Sequence, residues 1–472
     1  MTLNFYIRFS TRFGQALYLS GSHTELGNDD IAKAIPLQYF NENFWHVQVE
    51  LPGADFTSLA IEYRYVLREK DGYEIVEWGN DRVIDFKKIS AKDIILIDTW
   101  NHAGEVENAF FTQPFQGVLL NPPAVPKVKA IKSFTHELRV KAPLLKENEV
   151  IAVAGSGKAL GEWNTDKLNL LTKDGNWWSV KLNLASENFP VAYKYCVYDI
   201  SKKSLVKYES GSNRMIAGSG GKGKQTIIHD GFVQLSYPSW RGAGVAIPVF
   251  SLRTNKSFGT GEFTDIKLLV DWAKICGLKL IQLLPVNDTT ATHTWTDSYP
   301  YAAISAFALH PLYLNLAQVA GTKNAAIVKA LEEERMRLNA EDKVDYEAVT
   351  QLKFDTAKKL YEMQKEKFSN DTKYFEFFEL NRHWLVPYAA FCYLRDKYKT
   401  SDYSQWTSHS LYDENAVQQL VDPSEEHYDE IAVYYFIQYH LHLQLKDATA
   451  YAHKNGIIVK GESADRHLSL WR

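Results

Sequence analysis

Residues 241–316 read RGAGVAIPVFSLRTNKSFGTGEFTDIKLLVDWAKICGLKLIQLLPVNDTTATHTWTDSYPYAAISAFALHPLYLNL and decide the fold of the second half of the chain. Apolar runs at 245–252 and 278–286 are typical of strands. Between them, residues 262–276 carry apolar side chains at helical spacing. A strand that is apolar at nearly every position is one buried on both faces, as in a parallel sheet covered by helices. The stretch therefore predicts a strand–helix–strand unit.

Polar and aromatic side chains follow the second predicted strand, among them Asp288, Trp295, Asp297 and Tyr301. In α/β folds, binding sites lie in the loops beyond the carboxyl ends of the strands. Aromatic rings stack on the C–H faces of a sugar, and carboxylates accept its hydroxyl protons, so this composition suits a carbohydrate. The residues alone leave open the alternative that the rings only pack against the rim of the sheet.

The combination LLPVNDT, DSYPY and SAFALHPLYL resembles the start of the catalytic domain of the 4-α-glucanotransferases, the amylomaltase or disproportionating-enzyme family (glycoside hydrolase family 77). The resemblance implies a (β/α)8 TIM barrel that transfers α-1,4-glucan segments from donor to acceptor by a retaining double displacement. It implies that Tyr301 contacts bound glucan in the cleft. Asp297 lies in the same motif and Trp295 beside it, so we expect all three at the substrate-binding site.

Composition sets further limits. A length of 472 residues suggests about three domains. The net charge of −4 gives no general surface for nucleic acid, and no apolar run approaches a membrane span. Three cysteines without metal-like spacing favour free thiols and a cytoplasmic location. We expect no metal and no cofactor.

The first half of the chain carries short alternating runs separated by turn residues, which predict β-sandwiches over residues 1–118 and 130–236. Proline-rich residues 119–129 predict a linker. The two β-rich segments are copies, because several short motifs recur in order at a near-constant spacing. The recurrences are Gly21-Ser22 as Gly155-Ser156, Leu26-Gly27 as Leu160-Gly161, Trp45 as Trp178, and Tyr63-Arg64-Tyr65 as Tyr193-Lys194-Tyr195. A buried tryptophan in each sandwich explains Trp45 and Trp178.

The second copy has a tryptophan in a turn, Trp163, that no core requires. The residues alone leave open a solvated turn that happens to contain aromatics. The pattern resembles the family 20 starch-binding module, which implies that Trp163 and Tyr208 are sugar-stacking platforms. It also implies that Lys194, Glu209 and Asn213 bond glucan hydroxyls.

The first copy departs from the same pattern. The resemblance keeps Arg64 and Trp78, and it matches Tyr18 to the tyrosine of a second sugar site. We therefore expect weak binding by the first copy and stronger binding by the second. Three positions of the principal site are replaced in the first copy, namely Asp29 for the first platform, Gly79 for the glutamate and Asp81 for the asparagine.

The remaining chain predicts a partial barrel over 237–461 with a helical insertion at 317–455, and a tail at 462–472 unlike the family. That tail, ESADRHLSLWR, follows KG, where the family continues KGDLPIG, so we expect a shifted reading frame. The reactive carboxylates that the family implies would then lie beyond Arg472, and the 472-residue chain would be inactive alone. The expected partners are starch, glycogen or maltodextrin. The alternative is a non-catalytic tandem starch- or glycogen-binding protein, and a third, weaker alternative is an α-amylase-type hydrolase.

Overall fold

The computed structural model describes residues 1–53, 59–80, 82–120, 125–126, 128, 131, 133–221, 223–235 and 240–462. Within it the chain divides into two compact units, Met1–Trp240 and Arg241–Arg472. Most of the predicted linker 119–129, and the predicted tail from residue 463 onward, lie outside the described residues.

The first module is a β-sandwich whose strands alternate between the core and solvent. In β1, Leu3, Phe5 and Ile7 are fully buried while their neighbours are half-exposed, as a period of two requires. One of its sheets has the strand order β3-β2-β6-β7, with β8 also paired to β6. The strands are β1 (Thr2–Arg8), β2 (Ala16–Gly21), β3 (Ile35–Pro36), β4 (Gln38–Asn41), β5 (Phe44–Glu50), β6 (Ala60–Arg68), β7 (Glu74–Val76), β8 (Val83–Asp85) and β9 (Asp93–Thr99).

The second module repeats this arrangement. Its five-stranded sheet has the order β12-β11-β15-β16, with β17 also paired to β15. The predicted core tryptophans, Trp45 and Trp178, are both buried, one in each module's core. The strands are β10 (His136–Lys141), β11 (Glu149–Gly155), β12 (Asn169–Leu170), β13 (Thr172–Asp174), β14 (Trp177–Leu182), β15 (Val191–Asp199), β16 (Ser204–Tyr208), β17 (Arg214–Ile216) and β18 (Lys224–Phe232).

The two modules share one continuous eight-stranded sheet, in the order β13-β14-β10-β18-β9-β1-β5-β4. The last strand of each module, β9 and β18, pair in parallel across the junction. Side chains reinforce the pairing, because Asp98 bonds to His229 Nδ1 at 2.6 Å and Arg8 donates to Asp230 at 3.0 Å. The first unit is therefore one body built from two modules, a feature that alternation within each module does not predict.

The second unit begins with three parallel strands, β19 (Gly244–Ile247), β20 (Leu280–Leu283) and β21 (Ile458–Gly461), with β20 in the centre. The strands are shorter than predicted, since Pro248 follows β19 and Pro285 lies just beyond β20, and proline cannot donate to a sheet ladder. Helix α1 (Ile266–Ile275) connects the first two strands, as the sequence predicts. The described residues contain three strands of this sheet and no closed barrel.

Helices make up most of the second unit, in agreement with the predicted insertion at 317–455. The longest three, α5, α6 and α8, contribute much of one hydrophobic core. No helix in the described part of the chain is long and apolar enough to cross a membrane. The helices after α1 are α2 (Leu316–Ala320), α3 (Ala325–Lys329), α4 (Glu332–Ala340), α5 (Tyr346–Ser369), α6 (Thr372–Tyr398), α7 (Glu414–Leu420) and α8 (Tyr428–Lys454).

Candidate functional site

Strand topology brings the predicted sugar-binding residues of the second module to one end of its five-stranded sheet. Gly155, the last residue of β11, pairs with Tyr193 near the start of β15. The same end of β15 also receives the end of β16 and the start of β17, because Cys196 pairs with Tyr208 and Tyr193 pairs with Arg214. The loops that carry the predicted residues therefore leave the sheet at the same end.

Lys194 and Tyr208 lie on the same face of this sheet. Lys194 is two residues before Cys196, which is opposite Tyr208, so the two side chains are diagonal neighbours. The Lys194 ammonium donates to the Gly211 carbonyl at 2.7 Å and so reaches the loop that carries the exposed Asn213. The structure thus brings the lysine, the tyrosine and the asparagine loop together.

Trp163 occupies a turn with an uncommon backbone. Gly161, Glu162 and Trp163 all have positive φ angles, of 80°, 53° and 63°. A Cβ atom on Gly161 would lie 2.6 Å from the Lys167 carbonyl oxygen, so only glycine fits there. Left-handed conformations cost about 1–2 kcal/mol at a non-glycine residue and cluster at functional sites. The half-exposed indole is therefore held on a strained turn rather than packed in the core.

Glu209 lies beneath the loop, buried and paired with Arg214. The Arg214 Nε and Nη2 atoms each donate to a different oxygen of the Glu209 carboxylate, both at 2.9 Å, and the Tyr195 amide donates at 3.0 Å. Burial alone would lower the pKa of Arg214, but the hydrogen bonds to Glu209 and the charge of Asp230 raise it above its usual value. Protein donors occupy both oxygens, so the geometry favours holding the loop over a direct hydroxyl contact.

The first module reproduces the strained turn without its ring. Gly27, Asn28 and Asp29 have φ angles of 86°, 53° and 62°, nearly those of Gly161, Glu162 and Trp163. A Cβ atom on Gly27 would also meet a carbonyl oxygen, here 2.8 Å away on Lys33. The assignment of Asp29 to the first platform position is therefore confirmed by the backbone.

The glutamate assignment in the first module is wrong by two residues. Glu77, not Gly79, matches Glu209, because Glu77 pairs with Arg82 as Glu209 does with Arg214. The main chain agrees, since the Glu77 amide donates to the Tyr65 carbonyl at 3.0 Å, and the Glu209 amide to the Tyr195 carbonyl at 2.9 Å. An equal spacing between glutamate and arginine in both copies was the sequence signal for this register.

This register also moves Trp78 away from the second platform position. Val76 is opposite Val66, as Tyr208 is opposite Cys196 in the other copy, so a valine stands where the second ring would be. Trp78 instead matches Ser210, since the amide of each donates to a neighbouring chain carbonyl, of Asn101 and Gln234 respectively. The predicted asparagine position, Asp81, lies outside the described residues.

Tyr18 and Arg64 lie on neighbouring strands of the first module. The Arg68 guanidinium lies 4.0 Å from the centroid of the Tyr18 ring, and Glu74 and the Ile31 carbonyl hold it there through hydrogen bonds of 2.7 Å. One face of the ring is thus covered by a cation. Arg64 lies on β6, opposite Ser20 of β2. Lys194 has the equivalent position on β15 of the second module, where it lies opposite β11.

In the second unit, Tyr301 lies beyond the carboxyl ends of the parallel strands. Its hydroxyl donates to Glu462, which follows β21 directly, at 3.3 Å. Glu462 also accepts from Gln282 of β20 at 3.4 Å. Trp295, in the loop after β20, is 70% exposed. The predicted placement of these rings in the loops beyond the strand ends is therefore confirmed.

The acidic residues of the same loop are occupied by protein donors. Asp297 is buried and accepts from the Thr292 amide at 2.9 Å and the His293 amide at 2.7 Å. Asp288 is buried and accepts from Tyr388 and from the Thr290 hydroxyl, both at 2.6 Å. Both carboxylates brace the loop. Asp297 is thus placed beneath the predicted site, with its oxygens turned to the protein.

Comparison with known proteins agrees with this geometry. A family model described as 4-alpha-glucanotransferase (glycoside hydrolase family 77) matches residues 247–464, and a starch-binding-domain model of family 20 matches residues 1–93 and 136–227. Along its sequence, this chain contains two family 20 starch-binding domains followed by a glycoside hydrolase family 77 domain. The two starch-binding matches confirm the predicted duplication.

Two curated relatives show how far the likeness extends. The chain is 35% identical to the 4-alpha-glucanotransferase DPE2 of Oryza sativa subsp. japonica over 98% of its own length and 50% of that protein. It is 31% identical to the 4-alpha-glucanotransferase of Chlamydia muridarum, over 46% of this chain and 40% of the relative. The chain thus spans half or less of the length of these relatives. A solved amylomaltase from Streptococcus agalactiae is 18% identical, and the match covers 48% of this chain and 43% of that one. Its TM-score of 0.38 is too low to support a conclusion about this chain.

Proposed function

We propose that this protein acts in 4-α-glucan transfer and holds starch, glycogen or maltodextrin on its second β-module. The observation that carries the proposal is the Trp163 turn, which places an indole at the same sheet end as Lys194 and Tyr208. Two rings at one end of a sheet, with a cation and an amide on the neighbouring strand and loop, suit consecutive glucose units. The first module contributes the same scaffold with Asp29 and Val76 at the ring positions, so its contribution to binding is minor.

We further propose that the three parallel strands of the second unit begin a (β/α)8 barrel, with Tyr301 in its substrate cleft. Transfer with retention uses two carboxyl groups about 5–5.5 Å apart, one as nucleophile and one as acid and base. Asp288 and Asp297 are already saturated with protein donors, so we assign them to shaping the loop. The reacting carboxylates are then other residues of the transferase.

Two assays on the full chain test the proposal. Retention on granular starch, released by soluble maltodextrin, tests the binding part. Incubation with maltotriose tests the transfer part, since disproportionation yields glucose together with longer oligosaccharides. Retention with disproportionation supports both parts. Absence of retention would overturn the binding proposal.

A non-catalytic glucan-binding protein is the second candidate, because the Trp163 turn with Lys194 and Tyr208 would bind glucan without any transfer step. Retention without any glucose release from maltotriose is the result that would select it. Transfer activity of the 472-residue chain would exclude it.

We also propose a cytoplasmic location. All three cysteines are free, and Cys196 and Cys392 are buried. Persistently reduced thiols are typical of a reducing compartment. Fractionation of cells that express a tagged chain would test this, and recovery from a secreted fraction would contradict it.

A further inference from the structure

A cavity of about 550 Å³ lies at the junction of the two β-modules, and of the predicted sugar-binding residues only Trp78 and the buried Glu209 line it. It is bordered by two equivalent loops, one that contains Trp78 and Gly79 of the first module and one that contains Ser210, Gly211 and Ser212 of the second. Its volume is within the range of small-molecule sites. Because the cavity is lined from both modules, neither module forms it alone.

Apolar surface suited to a sugar face lines part of this junction cavity. Trp78 and Trp100 are half-buried, and Met215 is 48% exposed. Trp78 is held by its main chain, since the Asn101 side chain donates to its carbonyl at 3.1 Å and its amide donates to the Asn101 carbonyl at 3.1 Å. Trp78 matches Ser210 of the second module, so it lies at the junction and not at a platform position of the first module.

Asn101 lies in the lining of the cavity and holds the loop that contains Trp78. Its side-chain nitrogen donates to Trp78 and, at 3.0 Å, to Asn108. Its side-chain oxygen finds no donor within the described residues, although the residue is only 8% exposed. The oxygen is shielded from solvent, so Asn101 positions the Trp78 loop rather than contacting a ligand.

The charges of the lining favour a neutral ligand. The lining includes four basic residues and five acidic ones. Three of the bases are paired, namely Arg8 with Asp230, Arg82 with Glu77 and Arg214 with Glu209. Glu105 and Glu107 add exposed or half-exposed carboxylates that accept from hydroxyls. A polyol carries no charge of its own, so its binding would leave these ion pairs intact.

We propose that the junction cavity is a further α-glucan site, which takes a short segment or an end of a maltooligosaccharide. The sugar face lies against Trp78 and Trp100, and its hydroxyls donate to the half-exposed Glu107. This site rests on the proposed glucan function, but it is separate from the Trp163 turn and requires both modules. It gives the first module a role in binding that its own ring positions do not supply.

The test uses the full chain and maltotriose, in a titration followed by calorimetry. In a Trp163→Ala background, which removes the principal platform, we expect residual binding at the junction. Adding Trp78→Ala or Glu107→Ala should weaken that residual binding at least about tenfold. Tyr73→Ala, an exposed aromatic of the first module outside the lining, is the matched control and should change nothing.

The Glu107 variant keeps the test independent of folding. Among the described residues the Glu107 side chain makes no hydrogen bond or ion pair, and it lies on a short surface helix, Val106–Phe111. We therefore expect its truncation to leave the fold intact, and thermal melting of each variant would check this. The proposal is overturned if Trp163→Ala alone binds no maltotriose, or if both added substitutions leave the residual affinity unchanged. Failure of the unaltered chain to bind starch would instead overturn the glucan proposal itself, and the junction site with it.

Discussion

The two β-modules share a backbone and differ in what they place on it. Both have a turn with three consecutive positive φ angles, a buried glutamate–arginine pair and an aspartate that accepts from two tyrosines. Only the second has aromatic rings at both platform positions, Trp163 on the turn and Tyr208 at the end of β16. The scaffold was therefore retained in both copies, while the rings that contact glucan are found in one.

The largest effect we expect concerns the shared scaffold. Glu209→Ala would remove the two-point partner of Arg214, whose side chain is 20% exposed and keeps Asp230 at 3.5 Å. Removing one member of a buried ion pair costs about 3–5 kcal/mol, and the remaining Asp230 contact should place this loss near the lower end of that range. Glu77→Ala removes the matching partner of Arg82 and should cost a similar amount. Urea unfolding of the first unit measures both. A large cost in one module only would break the equivalence of the two scaffolds.

A difference in acid stability follows from His136 in β10 of the second module. Burial lowers the pKa of His136 to about 4, so the histidine is neutral in the folded state. Below its ordinary pKa of about 6.5 the unfolded chain binds more protons, and stability falls as the pH drops from about 6.5 to about 4. The shift corresponds to about 3 kcal/mol.

The first module offers the matched replacement, because Leu3 has the place on β1 that His136 has on β10. His136→Leu should therefore flatten the decline in melting temperature between pH 6.5 and 4. Buried His229, whose pKa burial also lowers, retains a dependence of the same sign. An unchanged pH profile in His136→Leu would show that His136 is not the group that titrates.

Placing rings on the first module tests whether the rings alone distinguish the two modules. Asp29→Trp with Val76→Tyr places rings at the two positions of the first module that match Trp163 and Tyr208. We expect added affinity for soluble maltodextrin of about 1–3 kcal/mol, as for one good interface side chain. Asp29→Ala with Val76→Ala is the control. No gain in the ring variant, with both chains folded, would mean that more than the rings distinguishes the modules.

The smallest effect should come from Tyr18. One face of its ring lies against Arg68, at 4.0 Å, so only part of the ring is available to a sugar. Tyr18→Ala should weaken starch retention by less than about threefold, with Tyr18→Phe unchanged. A loss as large as that of the principal platform would place the main site in the first module.

The sequence predicts the elements of this fold better than their assembly. Alternation in β1 and the helical spacing of 262–276 depend on near neighbours, so these elements agree with the structure. The pairing of β9 with β18 joins strands of two modules, and nothing within either strand reports its partner. The junction cavity depends on that pairing and was not predictable for the same reason.

Site prediction succeeded where a residue type is tied to a backbone requirement. The glycine of the turn, Gly27 or Gly161, fixes the register, so Asp29 and Trp163 are matched correctly. The glutamate position of the first module was predicted wrongly because Trp78 was matched to the second platform. The spacing from Glu77 to Arg82, equal to that from Glu209 to Arg214, gives the correct register. Burial of Asp297 is a property of tertiary packing, and its motif alone does not show which way the carboxylate points.

The most direct measurement compares the two matched turns. Titration of soluble starch into Trp163→Ala and Asp29→Ala, each as the full chain, reports the affinity that each turn supplies. We predict that Trp163→Ala weakens binding at least about tenfold and that Asp29→Ala stays within about twofold of the unaltered chain. Equal losses in both variants, or unchanged binding in Trp163→Ala, would contradict the assignment of glucan binding to the second module.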